Sequence, residues 1–225
     1  MTASTNLVAL RQLLAERFPG VRSGLEPTRP PARWPTGVSS FDAVLGGGLA
    51  AGAITELVGS GHGSGSAQVI HALLRRVAAE GRFLALVDGQ DSFDVDGADP
   101  AVLPRLLWVR CRTAAEALKA TDLLLRDRNF PFVVLDLKLN PAAQLRRLAS
   151  SVWHRFARLA EVHDTALVVV TPETLVGGAA WRVRVTAGLG IAAVAAGPAA
   201  AADRLRFEAL RGELAAGEES VATAG

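Results

Sequence analysis

The sequence predicts an α/β fold: a mostly parallel sheet flanked by helices, with antiparallel edge strands towards the C-terminal end. Two observations carry this. Residues 53–58, 82–87, 132–135 and 165–170 are short, mostly apolar runs, the pattern of strands buried on both faces. Segments with apolar residues at helical spacing stand between them, and that alternation calls for right-handed crossovers joining parallel strands. The composition permits such a core, since half of the residues are apolar and only a fifth are charged, which argues against global disorder.

The elements follow in order. Residues 7–18 read as an amphipathic helix, with Leu7, Leu10, Leu14 and Phe18 on one face and Arg11 and Glu16 between them. Pro19-Gly20 stops it. Residues 27–35 carry Pro27, Pro30, Pro31 and Pro35, so this stretch is an extended linker rather than a helix. The expected organisation is a helix-and-linker arm over 1–32, a core over 33–212 and a small, acidic, loose tail over 213–225.

Within the core, residues 53–58 form a strand ending in a glycine-rich turn. A helix over 66–80 then puts Val69, Ile70, Leu73 and Val77 on one face. Residues 82–87 are a buried strand followed by Asp88, 106–109 a short strand, 114–128 a helix, and 132–135 a strand ending at Asp136. Asn140-Pro141 opens a long helix, Asn being a good N-cap and Pro suiting the first turn. Its apolar stripe is Leu145, Leu148, Val152, Phe156 and Leu159. A further buried strand spans 165–170. Residues 181–185 and 205–210 alternate in polarity and 190–195 are small and apolar, which suits antiparallel edge strands.

Composition narrows the function. A net charge of +2 argues against a strongly basic, DNA-coating protein, so any DNA contact is expected to be weak or indirect. The basic residues are nearly all Arg, with Lys119 and Lys138 the only lysines. Arg suits bidentate contacts to phosphate or carboxylate, and compositional bias is the plainer account. Cys111 is the only cysteine, so no disulfide framework forms within the chain, as expected of a reducing cytoplasm. It reads as a filler at a strand end. The first residues show no signal-peptide pattern, and 187–202 is too short and too poor in Leu and Ile to span a bilayer. His62, His71, His154 and His163 have no metal-ligand spacing. Trp34, Trp108, Trp153 and Trp181 are expected to pack rather than stack on bases.

The turn Gly59-Ser60-Gly61-His62-Gly63-Ser64-Gly65-Ser66 stands after a buried strand and before a helix, the place of a phosphate-binding loop. Such a loop needs glycines so that backbone N–H groups converge on an anion, a Lys for the outer phosphates, and a Ser or Thr hydroxyl for Mg²⁺. The glycines are present and the Lys is absent. Counted from Gly59, Gly65 takes the Lys position and Ser66 the hydroxyl position; with one extra residue, Ser66 and Ala67 take them. His62 cannot copy a permanent ammonium at pH 7. No cofactor is expected, while weak nucleotide or anion binding through the loop backbone stays open beside a purely structural turn.

The stretch Trp34-Pro35-Thr36-Gly37-Val38-Ser39-Ser40-Phe41-Asp42-Ala43-Val44-Leu45-Gly46-Gly47-Gly48-Leu49, continued by Ala53-Ile54-Thr55-Glu56-Leu57-Val58-Gly59, resembles the lead-in to the phosphate loop of the RecA family. That resemblance implies a RecA-like core and a set of matching positions. Where the family has Asp-Ala-Glu, with Glu activating the attacking water, this chain has Asp88-Gly89-Gln90. Where the family has a strand-terminal Asp that helps place Mg²⁺, Asp136 stands. Where the family has a γ-phosphate-sensing Gln, Thr171-Pro172 stands. With the Lys also missing, the resemblance implies a protein without ATPase activity. The segment after Pro172 is short and has no Lys or Arg before Arg182, so autonomous filament formation on single strands is not expected.

Short, degenerate RecA-like chains of this kind resemble the ImuA-type accessory proteins of the bacterial mutagenic translesion cassette, over roughly residues 33–212. This implies an SOS-induced, non-catalytic partner of a Y-family-like polymerase subunit and an error-prone replicative polymerase, with contact to RecA. The alternative is a SulA-like inhibitor of cell division that binds FtsZ. Such chains usually lack a recognisable glycine-rich loop after the first strand, and this one keeps its shape.

Two surfaces are candidates for partners. The face of Leu7, Leu10, Leu14 and Phe18 could dock on a RecA subunit or a second copy of this chain, or fold onto its own core. Arg147, His154, Arg155 and Arg158 line the long helix predicted after Asn140, as a patch for phosphate or an acidic partner or simply as a solvated face.

Overall fold

A computed structural model describes residues 31–59, 65–187, 201–202 and 204–212. The chain divides into two units, and the fold below is that of the second, Ala32–Gly225. The expected helix over 7–18, the 190–195 segment and the tail lie outside the described residues.

The architecture is the expected α/β one, consistent with a RecA-like core. Seven strands form one sheet: β3 (Ile54–Val58), β4 (Leu84–Asp88), β5 (Leu106–Arg110), β6 (Phe132–Asp136), β7 (Ala166–Thr171), β8 (Trp181–Ala187) and β9 (Arg206–Arg211), in the spatial order β5-β4-β6-β7-β3-β8-β9. All neighbours are parallel except the β8–β9 pair. A separate antiparallel pair joins β1 (Arg33–Trp34) to β2 (Leu49–Ala50). The helices are α1 (Ser39–Val44), α2 (Ser66–Ala79), α3 (Ala114–Asp127), α4 (Ala142–Leu145) and α5 (Ser151–His163).

The central strands are apolar because both of their faces are covered. Every residue of β3, β4 and β7 is buried. Alternate residues point to opposite faces, so each strand feeds two cores. Leu57, Leu86, Val134 and Val168 pack with Phe41 of α1 and with Ile70, Leu73 and Leu74 of α2. Ala85, Val133, Leu135 and Val169 pack with Ala117 and Leu125 of α3 and with Trp153 and Phe156 of α5.

The two faces follow from chain direction. The crossover from β3 through α2 to β4 runs one way along the sheet; those from β5 through α3 to β6, and from β6 through α5 to β7, run the other. Right-handed crossovers in opposite directions put their helices on opposite faces. The reversal falls between the adjacent strands β3 and β7, and the crevice outside their carboxyl ends is where open α/β sheets bind ligands.

The RecA-like lead-in is a folded turn. The carboxylate of Asp42 accepts hydrogen bonds from the Thr36 N–H and hydroxyl, both 2.8 Å, and from the Gly37 N–H. Gly48 sits at φ +128°, and a Cβ there would lie 2.3 Å from the Trp34 carbonyl oxygen. Only glycine lets β2 approach β1 this closely.

Four expectations are corrected. The linker expected through Pro35 yields to strand pairing at Arg33 and Trp34, opposite Ala50 and Leu49. β8 is an interior strand, parallel to β3 on one side and antiparallel to β9 on the other. Its alternation comes from Arg182, which neutralises a buried carboxylate, and from the exposed Arg184. The single long helix after Asn140 is two helices broken over residues 146–150, where Val152 and Trp153 donate to Ala149 and Ser150 in three-residue turns. Ser150-Ser151 favours such an interruption, because short hydroxyl side chains compete for backbone partners. Asn140 does not cap α4 through its side chain, and its amide donates instead to the Gly89 carbonyl at 3.0 Å.

Among the described residues no helix is long and apolar enough to cross a membrane.

Candidate functional site

The carboxyl ends of β4, β6, β7 and β3 stand side by side along one edge of the sheet, and the segments that follow them make up the candidate site. The loop after β3 is the glycine-rich turn. Its residues Ser60, Gly61, His62, Gly63 and Ser64 lie outside the described residues; Gly59, Gly65 and Ser66 lie within them. The Gly59 N–H donates to the Thr171 carbonyl at 2.9 Å, extending the β3–β7 ladder by one rung. Gly65 is the N-cap of α2 at φ +85°, with no side-chain cap. A Cβ there would meet Leu205 at 2.2 Å, so both sterics and backbone conformation demand glycine.

The loop after β6 supplies the charges. Asp136 Oδ1 accepts from the Lys138 N–H at 2.9 Å, and the Leu137 N–H donates to the Val170 carbonyl at 2.9 Å. Burial pushes the Asp136 carboxyl up to about 6; the Lys138 N–H and ammonium pull it down and the Asp88 charge pushes it up. The Lys138 ammonium crosses the crevice and donates to the Ser66 hydroxyl at 3.0 Å. Sequence reasoning did not single out Lys138 for the site. Its signals were present: one of only two lysines, placed two residues after a strand-terminal aspartate.

A RecA-type site implies Mg²⁺ on the loop hydroxyl, aided by the strand-terminal Asp. The residues present do not fit that ion. Magnesium needs oxygen ligands at about 2.0–2.1 Å in near-octahedral geometry, and the Ser66 hydroxyl is engaged by a permanent cation.

The loop after β4 is organised by Asp88. Its carboxylate is buried and accepts from the N–H groups of Gln90, Ser92 and Phe93, the Ser92 hydroxyl and the Trp108 indole. Gln90 donates its side-chain amide to the Arg112 carbonyl at 3.1 Å. It therefore ties the end of β4 to the end of β5.

The loop after β7 is held from below by Glu56, a residue sequence reasoning quoted only as part of the lead-in. Glu56 is fully buried. Oε1 accepts from the Thr171 hydroxyl and the Leu175 and Val176 N–H groups, and Oε2 pairs with Arg182. The Thr171 hydroxyl thus faces inward to Glu56. A cleft of about 400 Å³, lined by Val58, Pro172, Glu173, Thr174 and Arg184, opens beside it.

The helix break separates Arg147 from the other basic-face candidates, while His154, Arg155 and Arg158 are exposed together on α5. Arg147 lies in the turn between α4 and α5. Arg155 pairs with Asp122 of α3 at 2.8 Å, and Arg126 pairs with the same carboxylate. Leu7, Leu10, Leu14 and Phe18 lie outside the described residues. Cys111 is buried just after β5, and burial raises its thiol above the ordinary range. Among the described residues no group of three His, Cys, Asp or Glu side chains is placed to hold a metal ion. No family model and no curated protein matches this chain.

Proposed function

We propose that this chain is a non-catalytic RecA-like partner protein of SOS-induced, error-prone translesion DNA synthesis, binding RecA, the mutagenic polymerase complex, or both. One observation carries the non-catalytic part of the reading. In the crevice where a RecA-type enzyme would hold Mg²⁺ and its general base, Ser66 is bonded to Lys138 and Gln90 to the Arg112 carbonyl. Phosphoryl transfer depends on positioned charge, from a loop Lys, a metal and a group that orients the nucleophile. The partner assignment rests on the ImuA-type resemblance of the sequence.

The test is affinity capture of the tagged full chain from DNA-damaged cells of its own source, read by mass spectrometry. Enrichment of RecA and of a Y-family-like polymerase subunit is the expected result. Enrichment of FtsZ would overturn the reading in favour of a division inhibitor. The segment of residues 7–18, expected from its sequence to be helical, is the proposed docking element, so removing residues 1–31 should abolish capture while leaving the melting temperature of the core unchanged. Purified protein should release no phosphate from ATP, with or without DNA; turnover that disappears on Asp136→Asn would refute the non-catalytic reading.

A further inference from the structure

We propose that Lys138 is a built-in cation standing where the fold's divalent ion would stand, and that it closes this crevice to Mg²⁺ and ions like it. The inference rests on the geometry of the crevice and is independent of any partner.

Three features place the ammonium. The Lys138 backbone is pinned, since its N–H donates to Asp136, the preceding Leu137 N–H donates to β7, and the Asn140 N–H closes the turn onto the Leu137 carbonyl at 3.1 Å. The side chain then spans from the end of β6 to the start of α2, meeting a Ser66 side chain that is fully buried. Asp136 supplies the negative charge that such a cation answers. Asp88, the other acid here, already accepts five hydrogen bonds and needs no ion.

The choice of Lys is informative in a chain whose basic residues are nearly all Arg. An ammonium is a compact point charge that can sit where a metal ion sits; a guanidinium is a planar fork that cannot. A divalent ion bound to the Ser66 oxygen would lie within a few ångströms of the ammonium, and like charges in a poorly solvated crevice repel strongly. Removing the ammonium takes the positive charge away from the Ser66 hydroxyl and leaves the Asp136 charge without that counter-charge.

The experiment uses the ¹⁵N-labelled full chain and Mn²⁺ alone as the probe. Paramagnetic broadening of the Ser66, Asp136 and Leu137 amide signals is followed as Mn²⁺ is added. Wild type should show no selective broadening there. Lys138→Met should show it, with an apparent affinity at least about tenfold tighter than wild type. Lys138→Gln, uncharged but still able to donate to Ser66, serves as the second neutral variant should Lys138→Met disturb the remaining amide spectrum. Broadening of the same amides in wild type at equal Mn²⁺, or no gain in either neutral variant, would overturn the proposal.

Discussion

Asp136→Asn should make this protein more stable, and only above a certain pH. The Asp136 carboxyl is raised from its ordinary 3.8 to about 6, chiefly by burial. The native state therefore holds the proton more tightly than the unfolded chain does. Stability from this group is fully present below about pH 4 and is lost as pH rises through about 6. The gap is about two pH units, and each is worth about 1.4 kcal/mol, so the ionised carboxylate costs the fold at most about 3 kcal/mol. Asp136 is partly exposed, and water screening brings the expected value to about 2 kcal/mol. Asparagine keeps the acceptor for the Lys138 N–H and removes the charge. Urea unfolding of both proteins at half-unit steps from pH 4 to pH 8 reads the effect. The stability difference should be near zero at pH 4 and rise through pH 6 to a plateau of about 2 kcal/mol in favour of the variant. In a Lys138→Met background the gain should be larger, because the favourable charge is gone. A difference that is flat with pH, or an Asn variant that is less stable at pH 8, would refute the reasoning.

Three further perturbations test the frame around the crevice. Glu56→Ala strands Arg182 without its buried partner and frees the Leu175 and Val176 N–H groups. It should cost about 3–5 kcal/mol in urea unfolding, with hydrogen exchange at those two amides rising most; an unchanged midpoint would show that the clamp bears no strain. Gly48→Ala must place a Cβ on the Trp34 carbonyl at an unfavourable φ, so about 1–3 kcal/mol should be lost, measured calorimetrically. Thr113→Ala removes the N-cap that accepts from the Glu116 N–H at the start of α3 and should cost about 1 kcal/mol in the same assay.

The sheet was legible because its central strands are covered twice. The apolar runs ending at Asp88, Asp136 and Thr171 are short and mostly rich in β-branched residues, which favours strands, and the alternation of strand and helix then pointed to parallel pairing. β8 was misplaced for a physical reason. Its Trp181, Val183 and Val185 alternate with Arg182 and Arg184, and a period of two ordinarily marks a strand with one solvated face. Here Arg182 instead meets Glu56, a pairing across 126 residues that no local pattern reveals. The break between α4 and α5 was hidden because Leu145, Leu148 and Val152 keep helical spacing across it. In the crevice, the glycine-rich turn, Asp136 and Gln90 were visible as positions. Lys138 was not, because its importance comes from reaching the first residue of α2, far away in sequence.

The bond from Gln90 to the Arg112 carbonyl bears on which residues this position can accept. An amide at this position donates to a carbonyl oxygen; a carboxylate in its place would face that oxygen lone pair to lone pair. Gln90→Glu would have to swing the side chain away and loosen the join between two strand ends. One changed codon would thus meet resistance from the scaffold itself, and the neighbouring residues would have to change with it.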